Sequence, residues 1–196
     1  MRKSFYHALL QPYQTLVFRA SRNDLVGGGT SDITAAARAL AVAAAHFLEA
    51  RSHQSSEGRE KGLRLMLRDV ADSAKHGQLR VADRTVTLSV GLAYEVDDIG
   101  RTRFLRTEVT ACNKKYGSFD LIETIGHYIR ALHDRFNFQF QRVEPLIEPK
   151  PYEAEASAIV TDNTAEVGSV NIRTYKRDAS GALVLADPVS FFFVVR

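Results

Sequence analysis

One stretch limits the fold more than any other: ITAAARALAVAAAHFLEA, residues 33 to 50, is helix-forming and carries small residues on almost every side. Alanines at 35, 36, 37, 39, 41, 43, 44 and 45 let neighbouring elements approach on more than one face, which places this helix centrally in a bundle or at a subunit contact. Gly27 to Gly29 break the chain before it, and Thr30, Ser31 and Asp32 are good N-terminal caps, so the helix is expected to end near Arg51. With 196 residues and 45% hydrophobic content, the chain can bury a core around it as one compact domain without a metal or disulfide staple.

The flanking segments give the rest of the architecture. Residues 4 to 25 read as a helix kinked or divided near Pro12. Residues 52 to 62 begin as a polar loop, and a third helix starts near Glu57 and ends before Gly77, with Leu63, Met66, Leu67, Val70 and Ala74 as its buried stripe. Two strand-like runs, 84 to 96 and 102 to 113, flank DDIGR and read as a hairpin. YGSFDLIETIGHYIRALHDRFNF, residues 116 to 138, supplies a fourth helix, capped by Ser118 or by Asp120, which has capping-box spacing to Glu123; its inner stripe is Ile122, Ile125, Ile129, Leu132 and Phe136.

After Phe140, three prolines make 143 to 155 an extended connection to strand candidates at 157 to 162, 167 to 176 and 182 to 195. SFFFVV, residues 190 to 195, is apolar on both faces and is expected to lie buried in a sheet beside the 167 to 176 strand. The predicted class is α+β: a helical bundle of about four helices with an inserted β-hairpin at 84 to 113, and a C-terminal antiparallel β-meander. Residues 1 to 140 form the helical domain, and 141 to 196 pack on it.

The single cysteine, Cys112, permits no internal disulfide and reads as a small core filler on a strand. One cysteine and scattered histidines give no zinc framework, so no metal or cofactor is expected. No apolar run is long enough to span a bilayer and the N-terminus lacks a signal-peptide core, so the expected location is cytoplasmic, away from membranes. Charge is uneven: residues 1 to 115 carry 18 Lys and Arg against 12 Asp and Glu, whereas 116 to 196 carry 8 against 11. The basic part suits a polyanion such as RNA, or simply a solvated surface. GGGTSD lacks the lysine of a Walker motif and reads as a flexible connection with a cap.

Chemistry concentrates on RLMLRDVADSAKH, residues 64 to 76. At roughly 100° per residue, Lys61, Arg64, Arg68, Asp72, Lys75 and His76 leave the helix on its polar side. Asp72 precedes His76 by one turn and could orient its imidazole for proton transfer, with Arg68 and Lys75 stabilising charge on a phosphorane. The plainer alternative is a helix end, where Lys75 and His76 meet the negative pole of the dipole, Gly77 takes the left-handed position and Arg68 pairs with Asp72. His46 could face the Asp72 and His76 pair across a helix contact, His127 follows Glu123 by one turn, and His133 borders the apolar stripe.

RDVADSAKH, placed after an alanine-rich helix, resembles the "RD..N..KH" segment of HEPN-like helical proteins of bacteria, and the likeness extends loosely over residues 15 to 138. The resemblance implies a metal-independent endoribonuclease of a toxin or defence system, with His76, Arg68 and Asp72 as catalytic residues, Lys61, Arg64 and Lys75 on the RNA, and a homodimer that builds the cleft. The interval between Arg68 and His76 is longer than in catalytic members. A second reading is a non-enzymatic module that binds a protein partner; Leu65 on the polar face suits either dimerisation or such a partner.

Overall fold

The computed structural model describes residues 1–22, 29–49, 58–138 and 171–186. The first helix, α1, comprises Arg2–Phe5, Tyr6–Leu10 and Gln11–Ala20, the middle stretch being wound as a π-helix. Pro12 sits in the first turn of the last stretch. A proline donates no N–H and its ring crowds the carbonyl four residues back, so the winding just upstream widens instead of the helix breaking. Helix α2 is Gly29–His46, α3 is Gly58–His76 and α4 is Leu121–Phe136. The end of α2 falls short of Arg51 because Phe47 and Leu48 turn inward and are buried, Phe47 meeting Phe5 edge-on at 5.9 Å between ring centres.

Most of the alanine coat of α2 is used inside the molecule. Ala37, Ala41, Ala44 and Ala45 are buried and bring α2 against α1, α3, α4 and the sheet, while Ala35 and Ala39 are exposed. On α3 the buried stripe is rotated from the expected one: Glu60, Leu67, Asp69, Val70 and Ala71 are buried, Leu63 and Met66 are half-buried and Ala74 is exposed. The core joins these side chains to Phe5, Leu9 and Leu16 of α1 and to Ile122, Ile125, Ile129 and Leu132 of α4. Tyr13 fits against Gly126, where an added Cβ would run into the tyrosine hydroxyl.

Among the described residues, five strands, β1 (Thr87–Val96), β2 (Thr102–Asn113), β3 (Gly117–Asp120), β4 (Asn171–Arg177) and β5 (Leu183–Leu185), form one sheet in the order β3-β2-β1-β4-β5. Strands β1 and β2 are antiparallel, with a register shift at Ala93/Tyr94. Their connection is closed by Asp97 Oδ1, which accepts from the amides of Ile99 (3.1 Å) and Arg101 (2.7 Å). The expectation for the terminal strands needs a correction. Strand β5 is antiparallel to β4, but β4 joins β1 in parallel, so the terminal strands are not a purely antiparallel meander. Strand β3 occupies the start of the segment read as the fourth helix. Cys112 is on a strand but exposed, because register pairs it with Thr87 and Ser118 on the outer face. The 157 to 162 strand, SFFFVV and the proline connection lie outside the described residues.

Asp120 caps α4, its Oδ1 accepting from the Glu123 amide at 2.9 Å. Asp120→Ala is expected to cost about 1 kcal/mol of stability in urea denaturation. Asp120→Asn should lose less, because it keeps the acceptor and because burial holds the aspartate carboxyl above the usual range, which offsets its pairing with Arg106 (3.0 Å). Equal losses for both variants would show that the cap contributes nothing.

Candidate functional site

The chemistry-bearing face of α3 is organised by a residue that does not belong to it. Asp69 is 1% exposed, and the Arg84 guanidinium donates to its Oδ1 from Nε at 2.8 Å and from Nη2. The same Nη2 lies 3.5 Å from Asp72 Oδ2, and Arg68 Nε lies 3.8 Å from that oxygen. Arg84 is carried by a 3₁₀ turn, Ala82–Arg84, that folds back on the helix. Two further bonds seal the fold: the Val86 amide donates to Ser73 Oγ at 2.9 Å and the Leu79 amide to Thr85 Oγ1 at 3.0 Å. The hydrogen bond to Asp69 and the nearby carboxylates raise the pKa of Arg84 further, so its charge is permanent.

Asp72 therefore serves arginines. The His76 side chain, exposed at the last turn of α3, makes no hydrogen bond or ion pair among the described residues. Its surroundings are those of a helix end: the Gly77 amide donates to the Ser73 carbonyl at 2.9 Å, and Gly77 has a φ of 69°. The residues assigned from sequence to RNA divide. Lys61 and Lys75 are exposed, whereas the Arg64 side chain is 19% exposed and donates to Glu49 Oε1 at 2.7 Å.

A second basic segment meets this helix end from the β2–β3 turn. The Lys115 amide donates to the Asp83 carbonyl at 3.2 Å, Lys114 Nζ lies 3.8 Å from Asp83 Oδ1, and Lys115 Nζ sits over the Tyr116 ring at 4.8 Å. Arg68, Lys75, His76, Arg80, Lys114 and Lys115 are all exposed around this junction. Sequence spacing had no means of joining residues 80 to 84 and 113 to 116 to the helix, since the contacts are non-local.

His46, which could have faced Asp72 and His76 across a helix contact, sits elsewhere. His46 Nδ1 contacts Glu49 Oε2 at 2.7 Å, and Glu49 is held by Arg64, twelve residues before His76 and about 18 Å from it along the helix. Hydrogen bonding by His46, and then by Arg64, keeps the Glu49 carboxyl below its ordinary range. His127 meets Glu123 at 3.5 Å and Arg130 at 2.9 Å, and His133 meets Asp134 at 3.2 Å.

The outer face of the sheet holds two further carboxylates that sequence reading missed. Glu95, 1% exposed, accepts from Arg103 (2.6 Å) and Arg177 (2.8 Å). Glu108 accepts from the Tyr175 hydroxyl (3.0 Å) and is flanked by Arg106 and Arg173, each at 3.4 Å. Both carboxylates tie β4 to β1 and β2. Their arginines are occupied in that pairing, so this face reads as a structural network.

Among the described residues, no group of three metal-ligating side chains occurs and no helix is long and apolar enough to cross a membrane. No family model, curated protein or solved structure matches the chain.

Proposed function

We propose that the protein is an RNA-directed, HEPN-like protein that takes the RNA backbone across the junction of the α3 end with the β2–β3 turn. The observation that supports this reading is the convergence of exposed cations from three chain segments. Arg68 and Lys75, Arg80, and Lys114 and Lys115 stand together, with Asp72 and Asp83 as the partly offsetting carboxylates and Asp69 buried behind Arg84. Such a surface neutralises phosphates with little regard to base identity, and its affinity falls with salt.

Lys114→Glu/Lys115→Glu should weaken binding of a single-stranded RNA by at least about tenfold and flatten the dependence of log affinity on log salt by about 1.4, the share of two phosphate contacts. Fluorescence anisotropy across a salt series measures both. Unchanged affinity and slope in the double variant would remove the surface from the reading.

The alternative, a protein-interaction module, is favoured by β5, an edge strand among the described residues whose Leu183, Val184 and Leu185 are exposed. Edge strands of this kind accept a strand from a partner.

A further inference from the structure

Strand β5 ends the sheet among the described residues, and the geometry of its pairing with β4 fixes which backbone groups face outward. The Asp178 amide donates to the Ala182 carbonyl at 2.9 Å and the Ala186 amide to the Thr174 carbonyl at 2.8 Å, on either side of the pairs Arg177 with Leu183, Lys176 with Val184 and Tyr175 with Leu185. Hydrogen-bonded and non-hydrogen-bonded pairs alternate along an antiparallel ladder, so Val184 directs its amide and carbonyl at Lys176, while those of Leu183 and Leu185 point away from the sheet. The three side chains are 42%, 44% and 69% exposed in chain order. Residues 182 to 186 hold no charge and no proline, and the β4–β5 register runs without a shift, so the devices that ordinarily blunt an edge are missing from this one.

The sequence of this edge also reads the same in both directions: ALVLA, residues 182 to 186, is a palindrome about Val184. A two-fold interface requires a surface that is complementary to itself, and this one is. An antiparallel second copy centred on Val184 sets Leu183 of one copy against Leu185 of the other, Ala182 against Ala186 and Val184 against Val184. The leucine pairs are then the hydrogen-bonded ones, and every outward amide and carbonyl of Leu183 and Leu185 finds a partner. The valines meet at the axis as a non-hydrogen-bonded pair, with Cα atoms about 4.5 Å apart. Slipping the register by two residues sets Leu185 against Gly181 and loses the match. Charge does not oppose the contact, since Lys176 of the two copies would stand about 14 Å apart, three strand spacings, beyond the Debye length at physiological salt. We infer that β5 is the dimerisation edge of this protein, two copies pairing antiparallel about Val184 and joining their sheets into one. The assignment does not rest on the RNA-directed reading, and it gives the open edge one occupant, a second copy of this chain.

Sedimentation velocity of the full chain in reductant should show a shift from monomer to dimer as concentration rises from about 1 to about 100 μM, the range in which a small interface associates. Val184→Lys places a cation at the axis and should weaken association by at least about tenfold, with the melting temperature of the dilute monomer unchanged because the position is half-exposed. Leu185→Pro removes an outward amide and no bond of the β4–β5 ladder, and should weaken association to a similar degree, which simple apolar adhesion would not predict. In a Cys112→Ser background, Val184→Cys should give a disulfide-linked dimer on mild oxidation, since a non-hydrogen-bonded pair has the separation a disulfide needs, whereas Ile99→Cys, exposed in the β1–β2 connection, should stay monomeric. A wild-type chain that is monomeric throughout the range, with no cross-link at Val184→Cys, overturns the assignment and leaves the edge to another segment of the chain or to a different protein. A dimer that survives both Val184→Lys and Leu185→Pro overturns it as well and puts the interface elsewhere. Either result leaves the RNA-directed reading to its own binding measurement.

Discussion

Arg84→Ala is expected to lower the free energy of unfolding by about 3 kcal/mol, the low end of the range for breaking a buried ion pair, since the guanidinium is one-third exposed. Its loss strands Asp69, whose Oδ2 already has no hydrogen-bond partner, and takes a cation from Asp72. The cost lies mainly in the stranded carboxylate. Arg84→Ala/Asp69→Leu should therefore recover most of the stability, and the strongly non-additive cycle distinguishes desolvation from lost packing. Urea denaturation of the four proteins is sufficient. An Arg84→Ala variant as stable as wild type would mean that Asp69 is solvated in solution.

Arg103→Ala/Arg177→Ala should cost about 3–5 kcal/mol, because it takes two guanidinium groups from a glutamate that is 1% exposed. Arg177 reaches across from β4, so the damage is directional. Amide protection at 171 to 185 should collapse while that of α4 persists, and hydrogen exchange resolves the two. Uniform loss across the molecule would show that β4 and β5 unfold only with everything else.

Those two carboxylates also mark where sequence reading reaches its limit. The mixed α+β content was legible, as was the cap of α4, because Asp120, Glu123 and the isoleucines at 122, 125 and 129 act through contacts within a few residues. The third helix was legible in its extent and less so in its orientation. Ala74 looked like core and is exposed, while Asp69, to which the periodicity gave no role, is buried against Arg84. The proposed pairing of Asp72 with His76 obeyed helical spacing, yet a one-turn interval states only that two groups can meet. It is silent on a competitor supplied by the following turn, and here Arg84 occupies the carboxylate. The position of His46, which could have faced Asp72 and His76, was open for a related reason: the sequence does not say how two helices align along their length. Glu95 and Glu108 drew no notice in the sequence, because their burial depends on arginines of β4 that lie far away along the chain.

The parallel pairing of β1 with β4 sets an order of events during synthesis. Gly91 must wait for Asn171 before its outer backbone edge is covered, so the helices, β2 and β3 all emerge while β1 still offers unpaired amide and carbonyl groups. A nascent chain released before residue 171 would carry a sheet with its central strand converted into an edge, and would be prone to recruit other chains. The fold thus makes β4 and β5 a condition of solubility for β1 and β2.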